Sequence, residues 1–425
     1  MKIKYFFLVI FLIPLTLLGQ GNFDAYFTAG VFRFDYLLSG TNSSVRVIEV
    51  QQKKEPVWGG TKKIQIQDQL LGNYRFSIKD QSTHVMIYQQ GFSPLFQEWQ
   101  TTAEAKTKER AFYQVLRFPF PKKKVILEID CRDRDGQFHE IFTTEINPSN
   151  YFVTNEMPVT NEVDMLRNSG EPSRKVDIAI LAEGYTKTEM GKFIKDANRL
   201  VDSLFLVEPY ASHKDKFNIY ALKTPSLESG TDIPGRNIYA NTLYNSSFYT
   251  FDVARYLTIT DLKTVFDQAA VVPFDYVIVL VNSKEYGGGG FCNNVCVCTS
   301  DHALAANVFI HEFGHEFAGL GDEYYTSEVA YVDYYNLKVE PWEPNLTTLV
   351  NFKSKWAEML DPSTPVPTPR TAKYEGKIGV FEGGGYMAKG IYSSTMDCRM
   401  KSNKPNYFCP VCQQAILKAI QRCTE

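Results

Sequence analysis

The chain has 425 residues, enough for more than one domain and for sizeable cores, and its 44% hydrophobic and 22% charged residues are the balance of an ordinary globular protein. A net charge of −3 without any long basic run argues against a nucleic-acid partner. The aromatic share of 14% suits β-rich, extracellular structure but points to no particular ligand.

The N-terminus reads as an export signal, residues 1–20. Lys2 and Lys4 form a short positive region, the run from Tyr5 to Leu18 is almost wholly apolar, and Gly19-Gln20-Gly21 supplies small residues for cleavage. The run is short for a membrane span, an uncleaved anchor being the alternative, and no cysteine follows it to carry a lipid. No later stretch has membrane length. Export predicts a location in the medium, the periplasm or on the cell surface.

Residues 21–150 alternate short apolar runs with turn residues. Strands are expected at 31–36, 44–50, 63–67, 74–78, 85–89, 112–118, 124–129 and 139–146, with glycines such as Gly40, Gly72 and Gly91 between them. This spacing predicts an antiparallel β-sandwich. It holds no catalytic constellation; His84 and His139 stand alone. Residues 151–174, with Pro158 and Ser169-Gly170-Glu171-Pro172, read as a linker.

From 175 to 425 the pattern changes. Asp177 to Ala182 is a buried-type strand, and Thr186 caps a helix over 187–207 whose apolar positions recur at helical spacing. Strands follow at 217–222 and 274–281, with a mainly helical stretch over 251–270 between them. This order predicts an α/β layer, so the fold class is mixed α+β. Gly287, Gly288, Gly289 and Gly290 then leave the backbone bare. A phosphate loop would want Lys and Ser/Thr next, whereas Phe291-Cys292 follows. The reading favoured is a flat edge strand that pairs with an extended peptide substrate.

His311-Glu312-Phe313-Gly314-His315 carries the chemistry. On a helix the two histidines share one face and can ligate one Zn²⁺, while Glu312 reaches a metal-activated water as general base. The same five residues in a metal-free helix would be surface histidines beside a salt-bridging glutamate. The continuation weighs against that. Gly319 allows the chain to reverse, and Asp322 offers a carboxylate third ligand, with Glu323 beside it as the competitor. The eight cysteines, seven of them after residue 290, are expected to form disulfides in an exported chain; Cys409-Pro-Val-Cys412 lacks a matching second pair for a structural zinc site.

These pieces together resemble the IgA peptidase family of secreted zinc metallopeptidases, which is metzincin-like. The resemblance rests on Asp177 to Tyr185, the glycine run, HEFGHEFAGLGDEYY from His311 to Tyr325, Glu340-Pro-Trp-Glu-Pro-Asn345, Phe381 to Tyr386, Asp397-Cys-Arg-Met400 and Phe408 to Cys412. It implies an endopeptidase domain with Zn²⁺ on His311, His315 and Asp322, Glu312 as base, and a methionine turn at Met400 with Met396 as competitor. In the related metzincin pattern the glycine and the third ligand each fall one residue earlier than Gly319 and Asp322, and Ser393-Ser394 stands where family members carry Arg-Pro. Tyr324, Tyr325 or Tyr386 would stabilise the oxyanion. The implied partner is a protein or glycoprotein substrate. A degenerate, binding-only peptidase fold and a zinc amidase acting on glycan or cell wall are the alternatives.

Overall fold

The alternating segments at the start of the chain pair as their periodicity requires. The computed structural model describes residues 22–66, 70–155, 161–325 and 334–425; the expected export signal, residues 1–20, lies outside the described residues. A four-residue helix α1 (Phe23–Tyr26) leads into β1 (Phe27–Gly40), β2 (Val45–Glu55), β3 (Tyr74–Asp80) and β4 (Met86–Phe92). Helix α2 (Leu95–Gln100), β5 (Arg110–Pro121), β6 (Val125–Arg132), β7 (Phe138–Ile146) and β8 (Val153–Thr154) complete this part. The strands form two four-stranded sheets, in the orders β5-β1-β2-β8 and β4-β3-β6-β7. Phe32, Phe34, Tyr36, Phe76, Leu127 and Ile129 from both sheets close one apolar core. Burying such aromatic and aliphatic side chains contributes roughly 1.5–3 kcal/mol each.

The second part is built on a six-stranded sheet. Its elements are β9 (Glu162–Arg167), β10 (Val176–Glu183), α3 (Met190–Leu204), β11 (Phe217–Lys223), β12 (Ser246–Ser247), β13 (Thr258–Ile259), α4 (Leu262–Ala269), β14 (Tyr276–Val281), β15 (Gly288–Phe291), β16 (Val295–Thr299) and α5 (Ala305–Ala318). Then come β17 (Leu346–Thr347), β18 (Phe381–Gly384), β19 (Met387–Ser393) and α6 (Pro410–Thr424). The sheet order is β15-β16-β14-β10-β11-β9; β15 and β9 run antiparallel to their neighbours and the inner strands are parallel. All eight residues of β10 are buried, as a strand covered on both faces must be. One face packs α3, α5 and α6, and the other packs α4 together with Leu95, Tyr113 and Val115 of the first part. Buried Arg33 spans the two parts, bonded to Asp35 through Nε at 2.6 Å and to Asp267 on α4 at 2.7 Å. The chain is thus a mixed α/β molecule of several sheets.

Four sequence expectations change. The strand at 63–67 does not form over Lys63 to Ile66, and Gln67 lies outside the described residues. Gln89 N–H donates to Gln65 O, while the Gln65 side chain reaches Arg422 O on α6, so the segment straps two layers instead of extending a sheet. The helix over 251–270 shrinks to α4, because Phe251 and Asp252 have φ of 52° and 62°, which no right-handed helix accepts, and Asp261 caps the helix start through Thr264 N–H. The stretch read as a linker supplies β8 and β9 to two different sheets. Finally, the expected disulfides are absent: all eight cysteines are free. The sulfurs of Cys398 and Cys412, for example, stay 3.8 Å apart, far beyond the bonded distance of about 2.05 Å. Among the described residues no helix is long and apolar enough to cross a membrane.

Candidate metal centre

Helix α5 sets the site by its two faces. Phe309, Ile310, Phe313 and Phe317 are buried in the core, which fixes the helix roll, and His311, Glu312 and His315 then turn toward a cleft. Gly319 ends the helix with φ of 61°; its N–H donates to His315 O at 3.1 Å, and Leu320 N–H donates to Gly314 O at 3.3 Å. The chain reverses there and brings Asp322 back over the helix.

Three acceptor atoms meet at this point. His311 Nε2 and His315 Nε2 lie 3.1 Å apart, and Asp322 Oδ1 lies 3.0 Å from the first and 3.4 Å from the second. The other ring nitrogens are already engaged with carbonyls: His311 Nδ1 with Arg399 O at 3.1 Å, and His315 Nδ1 with Leu320 O. A carbonyl only accepts, so each Nδ1 carries the hydrogen and a neutral ring leaves Nε2 as a bare lone pair. Asp322 Oδ1 is buried without a hydrogen-bond partner. Three converging lone pairs repel one another unless a proton or a cation lies among them. The donor set, two imidazoles and a carboxylate, fits a small divalent cation.

The charges respond accordingly. Burial alone would raise the Asp322 carboxyl, but the two imidazoles outweigh it and hold that group well below the usual range. Burial would lower His315; the Asp322 charge overrides it and pushes the imidazole up to about 9. Glu312 is raised, mainly by burial, with the nearby histidines opposing the rise. A raised carboxyl is a better proton acceptor and donor near neutrality.

The surrounding residues fix the Asp322 loop. Asn345, fully buried, accepts from Gly321 N–H at 2.7 Å and donates to Gly321 O at 2.8 Å. Tyr386 donates its hydroxyl to Asp322 Oδ2. Glu323, the competing third ligand, turns the opposite way, into the core, where its Oε1 lies 3.4 Å from Cys412 Sγ. Met400 is buried beneath α5, and its sulfur would stand 3.1 Å from a Cβ added at Gly314, between the two histidines. Met396 is only partly buried.

The cleft has a volume of about 440 Å³. The four glycines and Tyr324 line it, as do Ser93 and Glu98 from the first part of the chain. Of the three tyrosines, Tyr324 stacks over His311 with ring centroids 6.4 Å apart, Tyr386 is committed to Asp322, and Tyr325 does not line the cleft, its ring lying against Gly383. Burial, reinforced by Asp322, holds the Tyr324 hydroxyl well above its ordinary value, so it keeps its proton.

The glycines are needed for close approach. A Cβ at Gly290 would stand 2.2 Å from Glu312 O, and one at Gly288 would stand 2.8 Å from Glu312 Cγ. The strand β15 therefore lies against the helix turn that carries Glu312. The outer edge of β15 is partly engaged, since Leu257 N–H donates to Gly288 O at 3.4 Å. Asn345 and Arg255, which also lines the cleft, have no place in the motif reading; Asn345 stood in a quoted stretch without a role, and Arg255 carried no signal.

Comparison with known families covers most of the chain. The model of IgA Peptidase M64 matches residues 164–375 and 370–420, and the model of Peptidase M64 N-terminus matches residues 22–143. A search of curated proteins finds no match.

Proposed function

The chain belongs to the IgA Peptidase M64 family, which makes it a metallopeptidase acting on protein, and from that premise we propose a zinc-dependent endopeptidase with Glu312 as general base. The observation that carries this reading is the triangle of His311 Nε2, His315 Nε2 and Asp322 Oδ1, with sides of 3.0–3.4 Å. Tetrahedral zinc with bonds of about 2.0–2.2 Å has ligand–ligand edges of roughly 3.3–3.5 Å, close to these values. These three residues would hold the ion, which supplies a Lewis acid for the scissile carbonyl and lowers the pKa of water.

The remaining work falls to side chains of this chain. Glu312 takes a proton from the attacking water and returns it to the leaving amine, a role its raised pKa suits. Tyr324, still protonated and in the cleft, is placed to donate to the developing oxyanion; Tyr386 is occupied at Asp322 and Tyr325 is outside the cleft. Carbonyl acceptors on both imidazoles hold the tautomer that leaves Nε2 for the metal. The glycine strand β15 offers backbone groups to an extended substrate, a use in keeping with its place on the cleft wall. Met400 would be the methionine turn beneath the ion. The domain reading of 21–150, 151–174 and 175–425 and export through residues 1–20 belong to the same proposal.

Glu312→Gln tests the mechanism. The variant is expected to keep its zinc and lose about 10²–10⁴-fold in kcat/KM on a protein substrate. Internal cleavage products from the parent chain, identified by mass spectrometry, distinguish an endopeptidase from an enzyme that trims termini. Undiminished proteolysis by Glu312→Gln with metal content unchanged overturns the assignment.

A further inference from the structure

Behind the cleft lies a second ligand set that the proteolytic reading does not use. Glu323, Cys398, Cys409 and Cys412 each offer one ligand atom, and these atoms all lie within 4.8 Å of one another. All four residues have no solvent exposure. We propose that these four side chains bind a second, structural Zn²⁺.

The separations match the ion. With zinc–sulfur bonds of about 2.3 Å, a tetrahedron has sulfur–sulfur edges of about 3.8 Å and sulfur–oxygen edges of about 3.6 Å. Cys398 Sγ and Cys412 Sγ are 3.8 Å apart, and Cys412 Sγ is 3.4 Å from Glu323 Oε1. The pair is too far apart for a disulfide and is spaced as two ligands of one centre. Glu323 Oε2 is buried without a hydrogen-bond partner, and a buried carboxylate left so is costly without a cation.

Two of the three sulfurs take backbone N–H donors. Cys398 Sγ accepts Cys409 N–H at 3.2 Å, and Cys409 Sγ accepts Cys412 N–H at 3.4 Å. Ser394 Oγ lies 3.1 Å from Cys409 Sγ. Cys409 is also the N-cap of α6, a helix of fifteen residues whose N-terminal dipole favours negative sulfur. Asn345 Nδ2 donates to Glu323 Oε1 at 3.0 Å, orienting the carboxylate from outside the ligand set. Four protein ligands in a buried set leave no position for substrate, so the centre is structural.

Its location gives it a purpose. Glu323 follows Asp322 directly, and Met400 lies between Cys398 and the rest of its turn. Glu323 N–H donates to Met400 O at 2.8 Å, and Lys401 Nζ donates to Glu323 O at 2.8 Å. The ion would therefore tie together the Asp322 loop, the Met400 turn and the start of α6, holding the first site's third ligand from behind.

The test counts and identifies metal, without reference to activity. The full chain is purified without reductant or chelator, and zinc is measured by plasma mass spectrometry alongside the variant His311→Ala/His315→Ala. Two zinc ions per chain are expected in the parent and one in the variant. X-ray absorption of the variant's remaining zinc is expected to show a shell of three sulfurs at about 2.3 Å. Should that variant fail to fold, the parent alone is decisive, with an average of about 1.5 sulfurs per zinc expected over two sites. A single zinc in the parent that lacks sulfur neighbours, a remaining zinc without sulfur neighbours in the variant, or a disulfide joining any two of Cys398, Cys409 and Cys412 in a non-reduced peptide map overturns the proposal. Because no outcome depends on proteolysis, failure of this proposal and failure of the peptidase assignment remain distinct.

Discussion

Asp322 and Glu323 are neighbours in the chain and face opposite ways. Asp322 turns to two histidines that keep 16% and 15% side-chain exposure at the cleft, whereas Glu323 turns to three cysteines with no exposure at all. The histidine side leaves room for a further ligand; the cysteine side is filled by protein. One acidic pair thus joins an open arrangement suited to chemistry and a closed one suited to support. The lesson is that which carboxylate reaches which cluster is decided by chain direction after Gly319, not by residue type.

The largest effect is expected at the open, histidine side. His311→Ala/His315→Ala removes both imidazoles, and proteolysis of a protein substrate is expected to fall to background while the fold, followed by circular dichroism, persists. A smaller loss is expected on taking away support for Asp322. Tyr386→Phe deletes the hydroxyl on Oδ2, and zinc affinity measured by chelator competition is expected to weaken about 10–100-fold. An unchanged affinity would mean that Tyr386 is not needed to orient Asp322.

Packing between β15 and α5 gives a prediction in stability. Gly290→Ala forces a methyl group to 2.2 Å from Glu312 O, and a loss of roughly 1–3 kcal/mol is expected by denaturant unfolding, with activity impaired as Glu312 shifts. Wild-type stability in this variant would show that β15 can move away from the helix without cost.

A buried carboxyl pair away from both clusters sharpens the contrast. Asp177 and Asp275 are both raised by burial, and the Asp275 charge adds to the rise at Asp177, which reaches about 8. An unfolded aspartate titrates near 3.9. Where the folded pKa is the higher one, the folded state holds more protons, so stability from this pair is full below about pH 4 and declines as pH rises toward 8. Asp177→Asn, which cannot ionise, is expected to flatten that decline in thermal unfolding between pH 5 and 8, as linkage requires. The sign is the test: a steeper decline in the variant would contradict it.

Much of this architecture was legible from local pattern. Period-two alternation marks seven of the eight strands expected in the first part, since each needs only its own side chains to declare a buried face. The continuous apolar run at 274–281 likewise marks a central strand, and HEFGH declares its own geometry because two histidines four apart on a helix must share a side. What failed required distant partners. The residues at 251–259 look helical, but Phe251 packs on the sandwich core and the Tyr256 hydroxyl bonds Glu98, so tertiary contacts override the periodicity. Spacing could not decide between Asp322 and Glu323, because both follow the same glycine turn. The cysteines were misread for a related reason. Spacing among cysteines does not reveal that the fold brings Glu323, far upstream, beside Cys398, Cys409 and Cys412.

The central claim is that His311, His315 and Asp322 hold the metal of a peptidase. Anomalous diffraction at the zinc edge from crystals of the full chain tests it most directly. A peak is expected about 2.0–2.2 Å from His311 Nε2, His315 Nε2 and Asp322 Oδ1, with Glu312 beside it. A zinc-replete crystal with no peak at these three atoms would contradict it.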